Sequence, residues 1–397
     1  FVYNFEPAND VRNWTDEQLE VMSQASIQEH LWYMHRTMTG ISRSDSEMHG
    51  HDEYEAATGM TLWIYTINGH LPAYPPQHMN QFPPVWLDRM GEFLQDNIER
   101  WQIDPYAETA MRFTQYLSGN GNTRGIEGGQ ESSACGLALG GGEEFCNRLD
   151  GGGDNTGAHA GSTNVYRLGI NLGGMATVLP ALAGTPVHRG GGGIRNQPWE
   201  WYIQQMTDQL AANQIDGGCA HGGWYYDTFN GNGNCNQMDA STAQWGYIGL
   251  ESAEVAGSPY GVMVANNHKY AIANNLIRNQ RGDGGAAYRS DFARSDFKLT
   301  GGALVGARWL GMHQMDPTSG VNPFPPYSDF NEGTLRRSYD RYVQHLADDW
   351  TCAGCTGSHW TDSQWQNGDY LCGNPNGVHP HYRCGVTYTM YSLQKGF

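Results

Sequence analysis

One short string occurs twice in this chain. "NQIDGG" at 213–218 returns as "NQRGDGG" at 279–285, each time after an amphipathic stretch and before an apolar one that opens near a threonine. Such self-similarity restricts a chain to architectures in which one supersecondary unit is stacked against copies of itself. The following segments align as well: "STAQWGYIGLESA" from Ser241 lies beside "LTGGALVGARWLG" from Leu299, which brings Thr242 and Thr300 into register. Related Thr/Ala/Gly-rich openings stand at Thr58, Thr109, Thr163 and Thr387, making six in all.

A partner helix precedes most of them. Residues 15–38 have Thr15 as N-cap, Glu17 and Glu20 at the positive end of the helix, and Leu19, Met22, Ile27, Leu31 and Met34 at helical spacing. Further partners are expected over 84–101, 198–213, 259–279 and 332–350, three of them opened by proline. The Thr163 segment has no clear partner beyond a short stretch within 131–146. Helix pairs in this number predict an all-α fold, an (α/α)6 toroid with a Gly/Ala/Thr-rich inner ring and a more charged outer ring. Residues 15–397 form this single domain, and residues 1–14 an N-terminal arm. The connections 120–160, 216–237, 282–291 and 351–381 are long, whereas 104–105 and 257–259 are short, so one face of the ring is expected to be elaborated.

Charge and cysteine usage narrow the setting. The formal net charge is −18, only Lys269, Lys298 and Lys395 are lysines, and no basic run occurs, which argues against nucleic acid as a partner. No apolar run is long enough for a transmembrane helix. Cys135 with Cys146, Cys219 with Cys235, and the group Cys352, Cys355, Cys372 and Cys384 lie in Gly/Asn-rich stretches that suit disulfide-stapled loops and an extracellular location. For the last four, a tetrahedral zinc site built on "CAGC" is the competing reading. The chain begins at Phe1, without a charged-then-apolar leader, which fits removal of a signal peptide.

Gln214, Asp216, Gly217, Gly218, Gly223 and Trp224, followed by Asp239, Ser241, Gln244 and Trp245, resemble the Q-x-D-G-G-W and D-x-S-x-x-Q/A-W/L pattern of terpenoid cyclase and protein prenyltransferase repeats. That superfamily is an (α/α)6 toroid, so the resemblance implies the same fold. Its chemistries map onto this chain in part. The D-x-D-D acid of squalene-type cyclases has its nearest string in "LADDW", with Asp348 and Asp349 but without the first aspartate. The Asp/Cys/His zinc trio of prenyltransferases is imitated by Asp369, Cys372 and His379 or His381, at a different spacing. The Cys-Gly-Glu-Gln motif of complement-like thioester domains is absent.

Several residues carry chemistry in their own right. His49, His51, Asp52 and Glu53 precede the first inner segment, and His379 and His381 the last. In a closed ring these histidines are neighbours, and a divalent metal is the cofactor they would hold; helix capping and solvation are the alternative. His221, Trp224, Tyr225, Tyr226 and Asp227 place aromatics beside a carboxylate, which suits a glycan or a hydrophobic ligand, or else packing and subunit contact. Asp239 reads as the N-cap of the helix that follows it. Two functions result. In the first, the protein is a secreted structural or binding unit that self-associates, as the subunit of a filament or surface layer, with the arm and loop aromatics making the contacts. In the second, it is an enzyme using the central cavity, a glycan hydrolase or lyase or a terpenoid cyclase-like catalyst, with His51, Glu53, His221 and Asp227 as acid/base candidates.

Overall fold

In the computed structural model, the structure describes residues 15–36, 54–73, 104, 106–118, 165–187, 196–215, 217–226, 234–293, 295, 297–326 and 329–351. These form helices α1 (Asp16–Arg36), α2 (Tyr54–Ile67), α3 (Ala107–Ser118), α4 (Val165–Ala176), the single turn α5 (Leu179–Leu182), α6 (Trp199–Ala212), α7 (Ala240–Gly257), α8 (Asn266–Asn279), α9 (Phe297–Trp309) and α10 (Glu332–Thr351). Among the described residues there is no strand, only isolated bridges such as Pro186 with Pro198, and no helix is long and apolar enough to cross a membrane.

The helices lie in two layers. α2, α4, α7 and α9 pack in that order as an inner layer, and α3, α6, α8 and α10 cover it from outside. The inner helices run parallel. Gly59 faces Asn171 and Gly174, and the Thr66 hydroxyl lies 2.6 Å from that of Thr177; farther along, Gly302 faces Gln244 and Gly306 faces Tyr247. Small residues make this approach possible, because a side chain at Gly169 would strike the Trp245 carbonyl and one at Gly249 the Gly169 backbone. Two apolar clusters result. The larger fills the space between the layers, with Trp199, Tyr202, Trp224 and Tyr342 fully buried, and the smaller, Trp63, Trp245, Ile248 and Val305 with Met60, Tyr166 and Ile170, is drawn from inner helices alone and therefore lies on their far side.

Outer helices are tied to one another by polar bonds that span the core. The His35 ring is 2.7 Å from the Thr109 hydroxyl (α1 to α3), the Tyr202 hydroxyl donates to the Leu117 carbonyl (α3 to α6), and the Tyr342 hydroxyl to the Leu276 carbonyl (α8 to α10). The recurring string explains itself here. Gln214 Nε2 donates to the carbonyls of Gly222 and His268, while Gln280 Nε2 donates to those of Gly284 and Ser338. Both glutamines thus clamp their own loop onto the next outer helix. Gly222 and Gly284 adopt the left-handed conformation (φ 81° and 95°), each with its backbone against a carbonyl of that helix, Ala271 or Arg341.

Three expectations change. Residues 107–118 do not form an inner helix: α2 and α4 meet directly through Gly59 and Gly174, so α3 takes an outer place and is the partner missing for the Thr163 segment. The helix expected from Pro259 begins only at Asn266, because Ser258–Tyr260 is a 3-10 turn closed by left-handed Gly261. The opposite face is not uniformly short-looped, since the connection from α9 to α10 occupies 310–331. Other expectations hold. Thr15 caps α1, its hydroxyl accepting from the Gln18 amide while Gln18 Oε1 accepts from the Thr15 amide, and Pro198 opens α6. The arm 1–14, the segment 84–101 and the Thr387 segment lie outside the described residues.

Two buried ionisable groups set the pH response. Asp208 on α6 accepts a 2.6 Å bond from Gln204, yet burial pushes its pKa from 3.8 to about 8. A carboxyl raised in this way keeps a proton that the unfolded chain releases, so its contribution is intact below about pH 4 and is lost as pH rises through 8. Burial lowers His268 to about 4; neutral imidazole lies 2.7 Å from Gln214 Oε1, and that contribution is present above 6.5 and lost as pH falls through 4. Asp208→Asn is expected to flatten the loss toward pH 8 and to raise stability there by on the order of a few kcal/mol, read from denaturant midpoints across pH. Gly169→Ala is expected to cost about 2 kcal/mol or more, whereas Gly217→Ala, where a Cβ meets nothing, stays within about 0.5 kcal/mol in the same assay.

Candidate functional site

All four inner helices begin at the same face, where the loops after α6 and α8 also arrive. At the centre of that face stands Asp239. As the N-cap of α7 it accepts from the Ser241 and Thr242 amides at 2.9 and 3.2 Å, the role expected from the sequence. It also collects side chains. The Ser241 hydroxyl donates to Oδ1, the Tyr288 hydroxyl donates to Oδ2 at 2.5 Å, and the Tyr226 phenol is set close beside both Tyr288 and the carboxylate. The Tyr166 hydroxyl, from the first turn of α4, donates to Ser241 Oγ at 2.5 Å.

Three phenols from three segments therefore converge on one carboxylate and its serine. Backbone bonds fix the same junction: the Val165 amide donates to the Tyr226 carbonyl, Asp239 to Trp224 and Ala240 to Tyr288, at 3.0, 2.9 and 2.9 Å. The phenols resist ionisation. Tyr226 is held above the usual tyrosine range by its bond to Tyr288 and then by burial, Tyr288 by burial and its bond to Asp239, and Tyr166 is pushed up to about 12, mainly by burial. With its oxygens engaged by these donors, Asp239 anchors the junction and can take a proton only along the bonds it already accepts.

The rings form two groups at the rim of this face. Tyr166 and Tyr226 stack at 5.6 Å, Tyr225 meets Tyr226 edge-on at 5.4 Å, Tyr288 meets Phe292 at 5.9 Å, and Arg289 lies 4.7 Å over Phe292 while paired with Asp291. Tyr225, Tyr226 and Phe292 are exposed. The Cys219–Cys235 disulfide closes the loop that carries the first two. Trp224 is placed otherwise: it is fully buried, its indole N–H donates to the Leu210 carbonyl at 2.8 Å, and Gly246 lies against its ring, so it anchors the loop and is unavailable to a ligand.

His221 belongs to a neighbouring group on the outer side. Its ring is edge-on to Tyr270 at 6.3 Å, the Tyr270 hydroxyl donates to Asp329, and Arg278 donates to the Gly218 carbonyl. Burial, then the Arg278 charge, lowers its pKa, so the imidazole is neutral at physiological pH. His49, His51, Glu53, Asp227, His379 and His381 lie outside the described residues, as do Cys135, Cys146, Cys352, Cys355, Cys372 and Cys384. No group of three or more His, Cys, Asp or Glu side chains suited to a metal occurs among the described residues.

Tyr166 and Tyr288 were not singled out by the sequence, and Ser241 only as part of the repeat pattern. A signal for Tyr288 was present: Tyr226 stands three residues after Gly223 and Tyr288 three after Gly285, and these glycines are equivalent, since Ile215 and Arg281 each donate to them (2.9 and 2.8 Å). Pairing "DGG" at 216–218 with "DGG" at 283–285 hides this correspondence. No family model, curated protein or solved structure matches the chain. Asp239→Ala is expected to cost about 2 kcal/mol or more, because it removes the cap and strands the phenols; Asp239→Asn, which retains one acceptor, should cost about half that by chemical denaturation.

Proposed function

We propose that the protein is an extracellular structural unit whose two helical layers curve into an α/α toroid and whose copies stack face to face. The curvature rests on the unbroken succession of parallel inner helices; with α3 in the outer layer, the expected sixfold ring takes its remaining inner positions from outside the described residues, among them the Thr387 segment. The disulfide-closed loop supports an oxidising compartment.

The observation that carries the stacking is the distribution of exposed apolar side chains. Tyr225, Tyr226 and Phe292 stand at the face where the inner helices begin, and Ile67, Val255 and Met263 at the face where they end. The first set is held by the Asp239 junction; beside Val255, Glu254 accepts from Lys269 at 2.5 Å and from the Trp309 indole at 2.9 Å, and the Met263 backbone is bonded to Gln204. Two different faces that bind each other make a heterologous contact, which propagates instead of closing. The net charge of −18 opposes stacking, so added salt favours it.

A second reading, an enzyme acting in the axial cavity on a glycan or an isoprenoid-like ligand, draws support from the apolar strip of Met60, Trp63, Ile170, Trp245, Ile248 and Val305 on the far side of the inner layer. Light scattering with negative-stain imaging tests the two readings. Stacking requires open-ended polymers that lengthen with salt. Tyr225→Asp and Val255→Asp should each block growth at one face, and the two variants mixed should stop at dimers. A monomer of 44.0 kDa at every salt concentration sinks the assembly and leaves the cavity reading to be pursued by substrate screening.

A further inference from the structure

We infer that the tyrosine cluster around Asp239 is a site of one-electron oxidation, through which the rim becomes covalently modified at Tyr225 and Tyr226. The inference starts from the hydrogen bonds. A phenol loses an electron far more readily when its proton has a base to move to, and here Tyr288 donates directly to the Asp239 carboxylate, while Tyr166 donates to Ser241, which donates to the same carboxylate. All three phenols stay protonated well past neutral pH, so oxidation at this site proceeds with loss of the proton to Asp239, not from a phenolate formed beforehand.

The ring contacts supply the second half. From Tyr166 the aromatic path passes through Tyr226 to Tyr225, with neighbouring rings 5.6 and 5.4 Å apart, and the Tyr288 hydroxyl meets it at Asp239, whose Ser241 bond also holds Tyr166. A radical formed beside Asp239 therefore has a short route to exposed rings. Tyr33 provides the internal contrast: it is more exposed than Tyr225 (55% against 42%), yet its ring lies beneath the Arg36 guanidinium, a cation that disfavours removal of an electron.

The oxidant is a diffusible one-electron acceptor, of which the ferryl haem of a peroxidase using hydrogen peroxide is the type. One electron leaves the Tyr288 or Tyr226 ring, its proton shifts to Asp239, and a neutral phenoxyl remains; Asp239 then releases the proton to water. Two such phenoxyls join by a carbon–carbon bond ortho to the oxygens, and as each ring regains aromaticity its ortho hydrogen is lost as a proton while its oxygen takes one up, restoring the phenol. In all, two phenols give one dityrosine, two protons and two electrons, and hydrogen peroxide takes up both to become two waters. Coupling between copies requires two rims to meet, which the head-to-tail stacking above does not bring about, so neither the coupling nor the oxidation site depends on that stacking.

The experiment treats the full chain with a haem peroxidase and hydrogen peroxide, with and without a nitroso spin trap, and maps adducts and dityrosine by peptide mass spectrometry. The expected result is trapping at Tyr225 and Tyr226 several-fold above Tyr33, reduced several-fold by Tyr288→Phe, a variant that keeps the ring packing and removes the hydroxyl bonded to Asp239. Asp239→Asn, checked for folding by circular dichroism, should act in the same direction. Trapping that follows exposure, with Tyr33 equal to or above Tyr225, overturns the inference, as does a Tyr288→Phe protein labelled like the parent. Rim adducts uphold the oxidation site whether or not dityrosine-linked dimers form, since head-to-tail stacking keeps the rims of two copies apart.

Discussion

The close approach of parallel inner helices is the constraint on which the remaining structure depends. Gly59, Gly169, Gly249 and Gly302 allow backbone to meet backbone or side chain where a Cβ would collide. At that separation there is no room for another helix within the layer, which is why α3 is displaced outward and each outer helix settles over the inner groove. Parallel packing has a further consequence: every inner N-terminus, with its unsatisfied amides, arrives at one face. The loops that return from the outer helices must meet those ends, and the Asp239 junction is the meeting place.

That junction and the glutamine clamps divide the labour of holding the loops. Gln214 and Gln280 secure the beginning of each loop to the next outer helix, through bonds that are almost identical in the two units. Asp239, Tyr226 and Tyr288 secure the end of each loop to the inner layer. A loop fastened at both margins loses little conformational freedom when it binds something, so its exposed rings form a pre-organised surface. Between Ile215 and Gly223 the first loop holds four residues more than the second holds between Arg281 and Gly285, and Cys219 of the Cys219–Cys235 bridge lies within that stretch.

Much of the helical content was legible because it rests on local signals. The Thr15 capping box, Pro198 at the start of α6, the Asp239 cap and the apolar periodicity of α10 each act within one or two turns of chain. Layer assignment was not legible, since Thr109 sits in a segment as rich in small residues as its inner counterparts, and only the long-range meeting of Gly59 with Gly174 excludes it from the inner layer. The candidate site was legible by halves. The aromatic run at 224–226 stands out in the sequence, but the period that decides which of the three rings points inward is set by Gly222, whose left-handed turn sends Trp224 under Gly246 and leaves Tyr225 outside. Tyr166 and Ser241 come from the starts of two different inner helices and are joined only by the fold.

The same parallel layer bears on how copies would meet. At the loop face the inner helices present N-termini and the outer helices C-termini; at the opposite face the pattern is reversed. Contact between two loop faces sets like ends of the helix dipoles against each other and brings two Tyr225–Tyr226 rims into a self-complementary arrangement that closes as a dimer. Contact of a loop face with an opposite face sets unlike ends together in both layers at once, and lays aromatic rings on the aliphatic side chains of Ile67, Val255 and Met263. Dipole sign and surface chemistry thus favour the same geometry, the head-to-tail one, and for a chain carrying −18 charges the short-range apolar and dipolar terms must act together before repulsion between copies is overcome.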